Sequence, residues 1–146
     1  MSDWSQPIVV EQVYQAAPER VWKALTVRDE MVEWYFDGIP DFTPEVGFET
    51  RFMVSTGERE FDHIWTVTEV AEHRRIAYRW RYGNYEGDGH VTFDLTPAGD
   101  GTKLSVTAEV REPFLPADLL EFQRESGVEG WKYFLQGQLK SYLDGR

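Results

Sequence analysis

The sequence contains no cysteine. Disulfides, thiolate nucleophiles, iron–sulfur clusters and cysteine-ligated zinc are therefore excluded. Basic residues are scarce: 15 Lys and Arg stand against 26 Asp and Glu, a formal charge of −11. So acidic a surface repels phosphates, and neither a nucleic-acid nor an anionic-membrane partner is expected. No apolar run approaches the ~18 residues of a membrane span. The start, Met1-Ser2-Asp3-Trp4-Ser5-Gln6-Pro7, lacks the basic and apolar regions of a leader. The expected location is the cytoplasm. There are three histidines and no HxH or HxxxH spacing, so no metal and no cofactor are expected. G-x-S-x-G, S-x-x-K and a phosphate-cradling glycine loop are missing too. No residue is nominated as catalytic.

Aromatic side chains are plentiful, at 15% of 146 residues. That length suits a single domain over residues 1–146. Ile8 to Gln15 alternates and reads as a strand. Pro18 then opens a helix with Val21, Trp22 and Leu25 on one face, and Asp29 to Trp34 gives a second short one. Pro40, Pro44 and Gly47 mark a loop.

Period-2 runs follow: Phe48–Val54, Phe61–Val67, Ile76–Tyr82, Val91–Leu95 and Leu104–Ala108. Polar residues such as Glu49, Arg51, Arg79, Arg81, Asp94 and Lys103 fill the opposite parity, as a half-buried sheet requires. Short turn signals between the runs imply an antiparallel meander. Gly83 to Gly89 reads as a hairpin loop. A short helix is expected through Leu119, Leu120 and Phe122. Ser126 and Glu129 form a capping box, followed by a stripe of Val128, Trp131, Leu135, Leu139 and Tyr142. Gly130 and Gly137 are expected to let this helix approach the sheet closely. The fold class is α+β: about six antiparallel strands wrapped around a long C-terminal helix, with two short helices after the first strand.

Such a wrap tends to leave a cavity between helix and sheet. Strand parity turns His63 toward it, turns His90 outward and leaves His73 in a solvated turn. Trp34, Thr50, Phe52, His63, Trp65, Tyr78, Trp80, Phe93, Trp131 and Leu135 are the candidate cavity residues. The aromatics would supply apolar walls and Thr50, His63 and Tyr78 would orient a ligand; Tyr14 and Gln12 join them if the first strand has the same parity.

Ala17-Pro18-Glu19-Arg20-Val21-Trp22-Lys23-Ala24-Leu25-Thr26 resembles a segment of the SRPBCC (START-like, helix-grip) superfamily. The branch it is most similar to is the activator of heat-shock protein 90 ATPase homologue-like one. Met31-Val32-Glu33-Trp34, Asp41 to Gly47, Arg75 to Trp80, Val91 to Leu95, Gly101 to Leu104 and Gly130-Trp131 resemble further motifs of that branch, in order. Phe48 stands where a second glycine is usual, and Asp62-His63-Ile64-Trp65 where another glycine is common. Both changes add bulk near the expected cavity.

The resemblance implies the helix-grip fold and three functional expectations. The first is a binding protein for a small apolar, aromatic or lipid-like ligand. The second is a chaperone-associated partner with a stress-response role. The third is a cyclase- or dehydratase-type enzyme using His63 and a tyrosine. Binding without chemistry ranks first, as a monomer or homodimer.

Overall fold

Alternation over Ile8–Tyr14 builds β1, and Pro18 occupies the first turn of α1 (Pro18–Thr26), where its missing N–H leaves no bond unmade. The computed structural model describes residues 5–144. The leader reading falls mainly on residues 1–4, outside them. After α2 (Arg28–Trp34) come β2 (Glu49–Ser55), β3 (Glu60–Ala71), β4 (Arg75–Tyr82), β5 (Tyr85–Ala98) and β6 (Gly101–Leu115). They form one six-stranded antiparallel sheet in the order β1-β6-β5-β4-β3-β2. A 3-10 turn, Leu120–Phe122, leads into a C-terminal helix made of α3 (Arg124–Lys132), a π-helical stretch (Tyr133–Leu139) and α4 (Lys140–Asp144). No helix among the described residues is long and apolar enough to cross a membrane.

The period-2 reading fixes the two faces. Val10, Tyr14, Phe52, Trp65, Val67, Ile76, Tyr78, Val91, Phe93, Leu104 and Val106 are buried in one core beneath the helix. The other face carries cross-strand ion pairs: Arg51 with Asp62, Arg79 with Asp88, Arg75 with Asp94 and Lys103 with Glu11. The short helices are tied together by the Trp34 indole, whose Nε1 donates to the Ala24 carbonyl at 2.8 Å.

Several sequence expectations shift. The C-terminal helix begins at Arg124, two residues before Ser126, and no side chain caps it. Gln123 is its N-cap, and the Arg124 guanidinium donates instead to the Gln6 and Pro7 carbonyls. Its inward stripe is Trp131, Leu135, Leu139 and Leu143, not Tyr142. The wider π turns keep a uniform four-residue spacing on the sheet side, and the Tyr142 hydroxyl donates sideways to Glu30. Leu135 and Leu139 are 0% exposed and Trp131 7%. Added Cβ atoms at Gly130 and Gly137 would meet nothing within 4 Å, so close approach is not their role; the glycine pressed against the sheet is Gly127, on Ile8.

Gly83-Asn84 is the whole β4–β5 turn, and Tyr85 to Gly89 belong to β5. Asn84 makes this short turn possible by bonding across to Glu60 and Asp62 of β3. Gly87, at φ 130°, absorbs the register irregularity that follows. His73 is half-buried rather than solvated, with its ring edge-on to Trp22 at 6.1 Å.

The free side of β1 is dressed with side chains. Gln136 donates to the Glu11 carbonyl, Gln12 to that of Val13 and Arg124 to that of Pro7.

Candidate functional site

Antiparallel register lines up two rows of side chains on the concave face. One is Thr50, Trp65, Trp80 and Gly89; the other is Phe52, His63 and Tyr82. Gly89 ends the first row without a side chain. A Cβ there would meet the Glu109 carbonyl and the Phe114 ring at 3.1 Å.

Two residues directly after α2 fill much of the space above these rows. Tyr35 stacks between Trp34 at 4.6 Å and Trp65 at 5.2 Å, and its hydroxyl shares a 2.7 Å hydrogen bond with that of Tyr78. Burial pushes both phenols well above their usual pKa, so both stay neutral. Phe36 sits within about 5–6 Å of the rings of Phe52, His63, Trp65, Trp80 and Phe134. Phe48 does not join them; it rests on Phe42. The Trp65 Nε1–H is buried with no hydrogen-bond partner among the described residues.

Open space remains under the first half of the C-terminal helix, as two cavities of about 170 and 200 Å³. They share Trp80, Tyr82, Glu121, Gly127 and Trp131 as walls. The first is completed by Gly89, Phe114, Phe122 and Arg124, among others. The second is completed by Phe36, Phe61, His63, Gly130 and Phe134. Of the ten candidates named from sequence, Trp80 and Trp131 border both cavities and His63 the second. Trp34, Thr50, Phe52, Trp65, Tyr78, Phe93 and Leu135 border neither and pack in the closed core beside them. Thr50 bonds Asp41, and Tyr14 donates to the Leu135 carbonyl.

His63 is 4% exposed. Its Nδ1 faces the Phe61 carbonyl at 3.0 Å. A carbonyl only accepts, so the proton sits on Nδ1. Burial lowers its pKa from 6.5 to about 4, against smaller opposing effects of that hydrogen bond and of Asp62, and the ring is neutral at pH 7. Beside it, burial raises the Tyr82 hydroxyl to about 12 despite a hydrogen bond from Trp80. Among the described residues no group of three or more His, Asp or Glu is arranged to hold a metal.

The segment between β6 and α3 crosses the cavity mouths. Phe122 packs on Phe61, Tyr82, Tyr85 and Phe114. Glu121 latches the segment to the β2–β3 turn through Arg59 at 3.0 Å and Thr56 at 3.1 Å. Partial burial would raise the Glu121 carboxyl, but these bonds and its own backbone N–H outweigh it and hold the group below its usual pKa. Ion pairs that keep contact with solvent are worth about 0–1 kcal/mol. Glu121→Gln should therefore leave the urea midpoint nearly unchanged while speeding amide exchange across residues 116–123. Unchanged exchange would mean that Phe122 alone holds the strap.

Tyr35, Phe36, Glu121 and Phe134 escape a sequence reading. The first two lie in irregular chain after α2, where no periodicity orients them. Tyr82 shares the parity of Tyr78 and Trp80, a signal that could have found it.

A family model described as activator of Hsp90 ATPase homolog 1-like protein matches residues 15–144. Among solved structures, protein MLL2253 from Mesorhizobium loti is 28% identical, with a TM-score of 0.74 over 96% of this chain and 98% of that one. The Aha1 dimer from Colwellia psychrerythraea is 20% identical, with a TM-score of 0.72 over 94% and 96% of the two chains. DynU16, from the dynemicin biosynthetic locus, is 23% identical, with a TM-score of 0.71 over 94% of this chain and 47% of that one. The last two likenesses show the fold alone. No curated protein matches the sequence.

Proposed function

The chain belongs to the family of activator of Hsp90 ATPase homolog 1-like proteins, and from that we propose that it binds a small, largely apolar molecule between its sheet and the first half of its C-terminal helix. The observation that carries this reading is the pair of aromatic-walled cavities beneath α3. Elsewhere along the helix, Leu135 and Leu139 seal the same interface completely. Aromatic and apolar walls with a few polar groups are the usual make-up of a ligand site. A cytoplasmic setting accords with the lack of cysteine.

Native mass spectrometry of protein purified from its own cells tests this. A retained small apolar mass is the expected result. A bare chain that also takes up no apolar probe at Trp80 and Trp131 would overturn the reading.

A second reading is a chaperone partner, favoured by the family's description and by the −11 charge, which suits a basic docking surface. Its binding would weaken steeply with salt, unlike apolar capture. The cyclase or dehydratase reading has less support. A His63 held neutral to about pH 4 and a Tyr82 hydroxyl near 12 are both poorly poised for proton transfer at neutral pH.

A further inference from the structure

The second cavity offers an open acceptor, His63 Nε2, beside one neutral donor, the Tyr82 O–H, whose oxygen accepts from Trp80. His63 spends its only N–H on the Phe61 carbonyl, and no protein group among the described residues bonds its Nε2. That nitrogen keeps a lone pair on a nearly buried ring that borders the cavity. It is not among the atoms shut away from solvent without a partner, so it opens onto the cavity, where a ligand's donor can take the place of water. The ionised wall residue is Glu121, already accepting from Arg59 and Thr56. Among the described residues no lysine or arginine lines this cavity. An anionic headgroup would meet a carboxylate and a lone pair there, and the nearest cation, Arg59, is already paired with Glu121. In the first cavity Arg124 is present, but it donates to Gln6 and Pro7, and Glu109 and Glu121 stand in the same wall.

Size and wall type narrow the rest. Phe36, Phe61, Trp80, Trp131 and Phe134 present ring faces and edges, which favour planar partners over alkyl chains. A space of about 200 Å³ compares with the roughly 150 Å³ of an apolar cavity that holds benzene.

We propose that the second cavity takes a neutral, planar aromatic molecule of one or two rings bearing an O–H or N–H donor, with that donor on His63 Nε2, and that it discriminates against carboxylates. This rests on the ligand-binding role proposed above and names its ligand class.

The test is an NMR titration at pH 7 with four probes: 4-ethylphenol, 4-ethylanisole, 4-ethylbenzoate and octanoate. 4-Ethylphenol should bind about tenfold more tightly than 4-ethylanisole, the worth of one hydrogen bond. Both carboxylates should bind at least about tenfold more weakly than the phenol. The His63 Nε2 resonance should move upfield with the phenol and not with the anisole. His63→Phe should abolish the difference in affinity between the phenol and the anisole. The wild-type comparison and the nitrogen shift decide the matter even if that variant folds poorly. Equal affinity of phenol and anisole, or tightest binding by a carboxylate, overturns the donor assignment while leaving apolar binding in place. If no probe shifts the amides around Phe36, His63, Trp80 and Trp131, the ligand-binding role itself falls, and the inference with it.

Discussion

Trp65→Ala should destabilise the fold by about 3–5 kcal/mol, a large share of the roughly 5–15 kcal/mol that holds a typical domain together. Trp65 is 0% exposed. Its ring meets those of Tyr35, Phe36, Phe52, His63, Tyr78 and Trp80. Its N–H has no partner among the described residues, so truncation gives up packing and burial without giving up a hydrogen bond to them. Trp65→Phe should accordingly recover more than half of the loss. Denaturant titration of both variants measures this. A loss below about 1 kcal/mol for alanine would mean that Tyr35 and Phe36 collapse into the space and keep the cluster closed.

Acid should weaken the protein through His63. Above pH 6.5 the imidazole is neutral in both folded and unfolded chains. Between 6.5 and about 4 the unfolded chain takes up a proton that the folded one refuses, so stability falls as pH falls. Below about 4 the folded ring protonates as well and the loss levels off, at about 3 kcal/mol. Burial lowers the pKa of His90 too, with Arg111 adding to it, so its contribution has the same sign. The difference between the wild type and His63→Phe, followed from pH 7 to 4, isolates the His63 part. Parallel stability curves for the two proteins would show that the buried ring carries no such linkage.

The strands were readable because a sheet with one wet face writes its parity into the sequence. His63, Trp65 and Val67 alternate with Asp62, Ile64 and Thr66 and lie inward as expected, and Arg51, Arg79 and Arg81 lie on the ion-paired outer face. Where the chain leaves regular geometry the signal fails. Tyr35 and Phe36 follow a helix end and have no period to orient them, yet they decide how much of the expected cavity is filled. Gly87 and Gly89 resemble loop residues but sit inside β5, because a bulge and a close approach of Phe114 need glycine. The helix stripe was right at Trp131, Leu135 and Leu139, but Val128 is only half-buried and the stripe slipped by one residue at Tyr142, since a π-helical stretch changes the repeat without changing composition. Glu121 could be placed only once its latch to Arg59 was seen, a contact spanning 62 residues of chain.

The dressed margin of β1 bears on how copies of this protein can meet. An uncovered outer strand is the common route by which sheets join end to end, in functional dimers and in aggregates alike. Here the Pro7, Glu11 and Val13 carbonyls are already engaged by Arg124, Gln136 and Gln12 respectively. An incoming strand would have to strip those side chains away before gaining its own ladder. Self-association by continuous sheet is thus disfavoured at that margin, which leaves the opposite outer strand, β2, the helices and the ion-paired face as surfaces through which copies could meet.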